Sequence, residues 1–304
     1  MSALTRWLSL QGYGLVTSAL FRATSPPLKM RARLERLGRV SRERIQRKFP
    51  KVVFEDHVAG PVPVEAVCAV ESAARTILYL HGGGFFMGSP ASYRSRAMRL
   101  SYRFNAEVFV PDYRLAPEHP HPSALDDALA AWTFVSGIRP TAPIFVVGDS
   151  AGGGLGLSLL LKLRDLHMAM PNGACLLSPW KDLTMSGASI DGNRSKDLWF
   201  TRRLLEIWAS YYASSADRQL PYVSPVFGEF SGLPPLLLLA GEDELLLDDA
   251  QRVRDAARSV GIDVRVHVGN RMQHDWPLTL PWLDESRRAW SAMRDFVEGH
   301  GKSV

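Results

Sequence analysis

An apolar tetrapeptide, Ile144-Phe145-Val146-Val147, runs directly into Gly148-Asp149-Ser150-Ala151-Gly152, and the chain then restarts as a leucine-rich segment that ends near Leu166. A strand that turns into a helix within so few residues brings backbone against backbone, and glycines on either side of the serine remove the Cβ atoms that would clash. Such a turn pushes the serine Oγ out above the sheet, where a nucleophile sits. A serine hydroxyl is a poor nucleophile at neutral pH. It needs a base, a third group to orient that base, and donors for the oxyanion that forms.

The remaining chain offers a candidate for each. His81-Gly82-Gly83-Gly84 follows the apolar strand Thr76 to Leu80, and a glycine run there lets backbone N–H groups approach a ligand. Gly83, Gly84 and the N–H of Ala151 are the expected oxyanion donors. Three glycines alone read equally well as a flexible turn; strand-HGGG upstream of strand-GDSAG is a much rarer combination. The base belongs beyond the last strand, and the histidines that follow the region of the acid are His267, His274 and His300. His267 lies inside the alternating segment Val264 to Val268 and His300 in a polar tail, which leaves His274, in a loop able to reach over the sheet. For the acid, Gly241 to Asp249 holds five carboxylates, and spacing alone does not separate Asp243 from Glu244 at the loop-to-helix junction.

Short apolar runs at Thr76–Leu80, Glu107–Val110, Ile144–Val147, Ala174–Leu177, Leu236–Ala240 and Val264–Val268 alternate with helix-like segments, the pattern of a buried parallel sheet. Val52–Val58 and Val62–Val70 alternate in polarity and read as antiparallel edge strands. The whole predicts a doubly wound α/β sheet with its ligand site at the carboxyl ends of the strands, where all these motifs fall. Two segments break the alternation. Residues 1–48 precede the first strand, and about 182–222 form an insertion with its own helix-like piece, Thr201–Ala213, near Trp199, Trp208, Tyr211 and Tyr212. Together they are expected to cap the serine, the aromatics either packing or shaping a pocket.

HGGGF at 81–85, Pro111-Asp112-Tyr113-Arg114-Leu115-Ala116-Pro117-Glu118, GDSAGG at 148–153 and Met272-Gln273-His274-Asp275-Trp276 together resemble the hormone-sensitive-lipase-like family of α/β-hydrolases, the bacterial carboxylesterases in particular. The resemblance covers roughly residues 50–298. It implies an α/β-hydrolase fold, mostly parallel, with a helical cap over a catalytic domain at 49–304. It further implies a serine esterase with Ser150 as nucleophile and His274 as base. The family pattern D-x-L-x-D-[DE], anchored here on Leu246, Asp248 and Asp249, places Glu244 on the acid position and Asp243 one residue early. Glutamate there departs from the commoner aspartate, although both serve in such triads. Short- to medium-chain esters are the expected substrates, since an ester leaving group needs less help than an amine. Lactone or amide hydrolysis by the same triad is the alternative, and a ligand-binding protein on the same fold is a more distant one.

Composition agrees with one globular enzyme: 304 residues, 46% apolar and 22% charged. No apolar run reaches the length of a membrane span, and Gln11, Gly12 and Gly14 interrupt the nearest approach, Trp7 to Phe21. A cytoplasmic chain is expected, in keeping with two thiols, Cys68 and Cys175, on strand-like segments without ligand spacing and read as buried. The net charge of +5 is concentrated. Residues 29–51 hold ten Lys or Arg and two Glu, so the remainder is net negative. Met30, Leu34, Leu37, Val40, Ile45 and Phe49 recur there at near-helical spacing, which favours a solvated helix over an anion-binding face. Neither nucleic acid, metal nor organic cofactor is expected. Relatives in the resembled family often pair through an edge strand or the last helix, which makes a homodimer an open option. The turn Pro111–Glu118 is expected to be structural, tied down by Arg114.

Overall fold

A computed structural model describes residues 27–301; the stretch Trp7–Phe21 and most of the expected N-terminal half of the cap lie outside the described residues. Helices α1 (Pro27–Gly38) and α2 (Arg42–Lys48) precede strands β1 (Val53–Ala59) and β2 (Val62–Cys68). Then β3 (Arg75–Leu80), α3 (Pro90–Phe104), β4 (Ala106–Pro111), α4 (Ser123–Ile138), β5 (Ile144–Asp149), α5 (Ala151–Asp165) and β6 (Gly173–Leu177) alternate. The insertion carries α6 (Ser189–Gly192) and α7 (Arg202–Tyr212). After it come β7 (Leu236–Gly241), α8 (Leu247–Ser259), β8 (Val264–Gly269), α9 (Trp276–Thr279) and α10 (Asp284–His300).

The eight strands form one sheet in the order β1-β2-β4-β3-β5-β6-β7-β8. Neighbours are parallel from β4 to β8, while β1 and β2 are antiparallel. Because side chains alternate across a strand, each apolar run serves two cores at once. Leu78, Phe109 and Val146 lie in register and pack with Leu125 and Trp132 of α4 and Leu155 and Leu159 of α5. Ile77, Val108 and Phe145 face the other side, with Leu100 and Phe104 of α3 and Trp290 and Met293 of α10. Full burial of such side chains contributes roughly 1.5–3 kcal/mol each before chain entropy is counted. This explains why continuous apolar runs, rather than alternating ones, mark the parallel strands.

The basic segment is helical with most of its charges exposed, as expected, and its buried positions are Met30 and Ile45. It is two helices: the first ends at Gly38, and Ser41 caps the second, its hydroxyl accepting from Arg44 N–H at 3.2 Å. Two of its charges, on Arg31 and Arg42, are committed to the body of the protein. Arg42, together with Arg94 of α3, grips Glu65 on β2, a carboxylate only 4% exposed, at 2.6 and 2.7 Å. Arg31 reaches Glu118 at 2.6 Å and donates to the carbonyls of Phe86 and Ala116. The turn after β4 is held as expected: Arg114 forks onto buried Asp127. Cys175 is buried, whereas Cys68, at the end of β2, is only half-buried, since the strand leaves the core there.

Candidate active site

Ser150 occupies the junction of β5 and α5 with φ 54° and ψ −123°. A non-glycine residue in that region is strained by about 1–3 kcal/mol and persists only where its surroundings hold it. Here they do. Its N–H donates to Leu177 O at 2.8 Å, and its carbonyl accepts from Trp180 N–H at 2.9 Å and Gly154 N–H at 3.1 Å. The neighbouring glycine is required by close approach: a Cβ on Gly152 would stand 2.1 Å from Leu80 O. The other glycines of this helix therefore answer to packing rather than to a nucleotide, as Gly154 does against Trp180 O.

The glycine turn after β3 lies beside this elbow. Gly83 has φ +120°, and its carbonyl accepts from Phe86 and Met87 N–H at 3.1 and 3.0 Å, which turns its own N–H the other way. Among the described residues no protein acceptor takes the N–H groups of Gly83, Gly84 or Ala151. Asp149, which sequence reasoning passed over as the variable residue of its motif, joins the turn to the elbow. Its Oδ1 accepts from Tyr79 OH at 2.7 Å and Gly82 N–H at 3.1 Å, and its Oδ2 accepts from Tyr93 OH at 3.3 Å. Its signal in the sequence was its place at the end of an apolar strand, where an acid must find donors. His81 stacks on Tyr113, whose hydroxyl donates to His81 O at 2.6 Å, and burial pushes that imidazole down to about 4, so it is neutral.

His274 lies 124 residues along the chain from Ser150, yet both line one cavity of about 210 Å³. Its Nδ1 is 3.3 Å from Glu244 Oε2 and its Nε2 is 3.3 Å from Asp275 Oδ2, contacts close enough for ion pairs but not aligned as hydrogen bonds. Loose geometry of this kind is common in unliganded sites and tightens with substrate. Glu244 is fully buried; Asp243 is half-buried, its N–H held by Met272 O. Burial opposes protonation of His274, but the carboxylates of Asp275, Glu244 and Asp197 outweigh it and raise the imidazole to about 9. Asp275, in a left-handed conformation one residue after the histidine, was missed as a site residue.

The remaining cavity wall is divided. Trp199, Phe200 and Trp208 of the insertion face it together with Leu34 of α1 and Met87, whereas Tyr211 and Tyr212 pack instead on Phe86 and Phe85. Residues 77–278, which carry the serine elbow and the histidine after β8, are matched by a family model described as alpha/beta hydrolase fold. The chain belongs to that family. The hydrolase is 37% identical to an acetyl-hydrolase of Streptomyces hygroscopicus over 76% of this chain and 77% of the relative. It is 35% identical to an esterase of Acinetobacter venetianus over 77% and 78% of the two chains. Among solved structures, a hormone-sensitive lipase from a metagenome library superposes with TM-score 0.86 at 28% identity, covering 96% of the hydrolase and 98% of that chain. The esterase EstE5, soaked with p-nitrophenyl butyrate, does so with TM-score 0.83 at 33% identity, covering 94% and 97%. No helix among the described residues is long and apolar enough to cross a membrane.

Proposed function

We propose that the hydrolase is a serine carboxylesterase of short- to medium-chain acyl esters working through an acyl-enzyme. It is a carboxylic ester hydrolase, like the esterases and acetyl-hydrolases it matches over three quarters of its length. The observation that carries the mechanism is a single cavity lined by Ser150, His274 and the glycine turn, beside N–H groups that no protein acceptor takes among the described residues. Ser150 Oγ attacks the ester carbonyl while His274 Nε2 takes its proton; Glu244 holds Nδ1–H and stabilises the imidazolium. The N–H groups of Gly83, Gly84 and Ala151 donate to the tetrahedral oxyanion. His274 then protonates the leaving alcohol, and water repeats the sequence to release the acid.

A volume near 210 Å³, below the roughly 300–1,000 Å³ of most small-molecule sites, supports small acyl groups. The insertion and helix α1 supply the cap that shapes this space, through Trp199, Phe200, Trp208 and Leu34. Two half-buried or buried free thiols support a cytoplasmic setting. The deciding experiment is an acyl series of p-nitrophenyl esters from acetate to dodecanoate, with matched amides and a lactone. Turnover falling beyond medium chains, with amides far slower, is expected; preferential amide or lactone cleavage would replace the ester reading.

The electrostatics of His274 give the reaction a pH dependence of known sign. Only the neutral imidazole accepts the serine proton, so an imidazole raised to about 9 makes kcat/KM climb with pH through about 9. Asp275→Asn removes one of the two carboxylates that stand 3.3 Å from the imidazole. Its acid limb is expected to move down by about one pH unit, the size of effect a close carboxylate exerts. A limb that stays in place in the variant would mean that Asp275 does not face the imidazole in solution.

A further inference from the structure

The insertion does more than lie over the cavity. Several of its residues are stitched into the two loops that carry the acid and the base. Asn193 Nδ2 donates to the carbonyls of both Glu242 and Glu244 at 2.9 Å. Gln273, beside the base, accepts Leu198 N–H at 2.8 Å and donates to Lys196 O at 3.1 Å. Asp197 lies at the centre of this seam. Its Oδ1 accepts from Trp199 N–H at 2.7 Å and Phe200 N–H at 2.9 Å, and its Oδ2 accepts from Leu245 N–H at 2.8 Å. The two residues it caps place their rings against the imidazole, with centroids 4.7 Å (Phe200) and 5.7 Å (Trp199) from that of His274. The third bond falls on the residue next to Glu244.

We propose that Asp197 is a positioning residue of the esterase reaction: its one carboxylate locks the aromatic wall against His274 to the loop that carries Glu244. The inference rests on the catalytic reading above. Its physical basis is that, among the described residues, Glu244 has no aligned hydrogen bond to either carboxylate oxygen, so its placement depends on the backbone around it. Asn193 fixes that backbone through the Glu244 carbonyl and Asp197 through the following N–H. A carboxylate accepting three N–H groups is acceptor-only, and no neutral side chain of the same size satisfies all three. In Asn, the amide nitrogen would confront Leu245 N–H, donor against donor. Withdrawal from water pushes Asp197 up to about 6 against those three bonds, so it is charged across the alkaline range where His274 is active.

That charge also reaches the imidazole. His274 is faced by Glu244 from the loop after β7, Asp275 from its own loop, Asp197 from the insertion and Asp149 from β5, while Lys181 acts on Glu244 and Arg96 of α3 on Asp149 and Asp275. Removing Asp197 therefore has two signatures. Displacing the Glu244 loop by an ångström is expected to lower kcat roughly 10- to 100-fold, with KM for a small acetyl ester little changed. Losing a negative charge near His274 moves the acid limb to lower pH.

The test compares wild type, Asp197→Asn, Asp197→Ser and Ser150→Ala on p-nitrophenyl acetate across pH 6–10 (about the range spanned by the ordinary and raised imidazole), with thermal melts of each. Serine keeps an acceptor for Trp199 and Phe200 but cannot reach Leu245, so it isolates the bond to the acid loop. The proposal expects both Asp197 variants to fold, lose kcat and shift the limb down. A folded variant with wild-type kcat, or with a lowered melt as its sole change, overturns it. So does failure of both variants to fold, which assigns Asp197 to the fold alone. Hydrolysis surviving in Ser150→Ala would instead sink the catalytic reading itself, whatever the Asp197 variants do.

Discussion

Replacing Ser150 by alanine is expected to lower kcat about 10⁶-fold on every ester the wild type accepts, the scale seen when a triad nucleophile is removed. The change deletes one oxygen and no carbon, so the packing at Gly152 and the three backbone bonds that hold residue 150 at φ 54° remain. Alanine meets the same backbone strain as serine. The melt is therefore expected to stay near wild type, and KM, which reports the cavity walls, to change little. A stopped-flow trace with p-nitrophenyl butyrate adds a second reading. The burst of one p-nitrophenol per active site expected of an acyl-enzyme disappears in the variant. If more than a trace of wild-type turnover remains in a preparation free of contaminating esterase, the attacking oxygen belongs to another residue or to water.

Most of the fold was legible because the sheet is parallel and buried on both faces. A strand such as Ile144–Val147 must be apolar at every position, and all eight expected strands are found within two residues of their expected ends or closer at the core. The serine was legible for a different reason: a turn this tight dictates its own glycines, so local sterics write themselves into adjacent residues. Glu244 was legible only through a family pattern, since nothing in the run Gly241–Asp249 says which carboxylate will turn inward. Asp197, Asn193 and Gln273 were not legible at all. Their partners across the seam lie 48 to 77 residues away, and hydrogen bonds between loops leave no periodicity behind. Asp149 hid inside a recognised motif, where its neighbour drew the attention. The solvated face of the basic segment was legible, but the two charges with partners in the body were not, because charge counts do not say where partners stand: the carboxylate for Arg42, Glu65, is on β2, and that for Arg31, Glu118, is 87 residues on.

Glu244→Gln is expected to cost about 10⁴-fold in kcat, the loss that follows when the acid of a triad becomes an amide. Glutamine keeps the length and volume of a side chain that is fully buried, so the loop need not move. What it loses is the charge beside Nδ1, 3.3 Å away in the resting site. Without it the imidazolium that forms as Ser150 attacks has one carboxylate fewer, and the amide can present N–H to Nδ1 and hold the wrong tautomer. Removing that charge also lowers the pKa of His274, because Glu244 is among the groups that raise it. The residual activity should therefore reach its plateau at lower pH, a shift that mere loosening of the loop does not produce. Glu244→Asp retains the charge but withdraws it by a methylene, and an activity between the two is expected. Asp243→Asn, one residue earlier and held through its backbone by Met272 O, should leave kcat and its pH profile near wild type. If instead Asp243→Asn is the crippled variant and Glu244→Gln turns over normally, the acid is Asp243 and the contact at Nδ1 has another purpose.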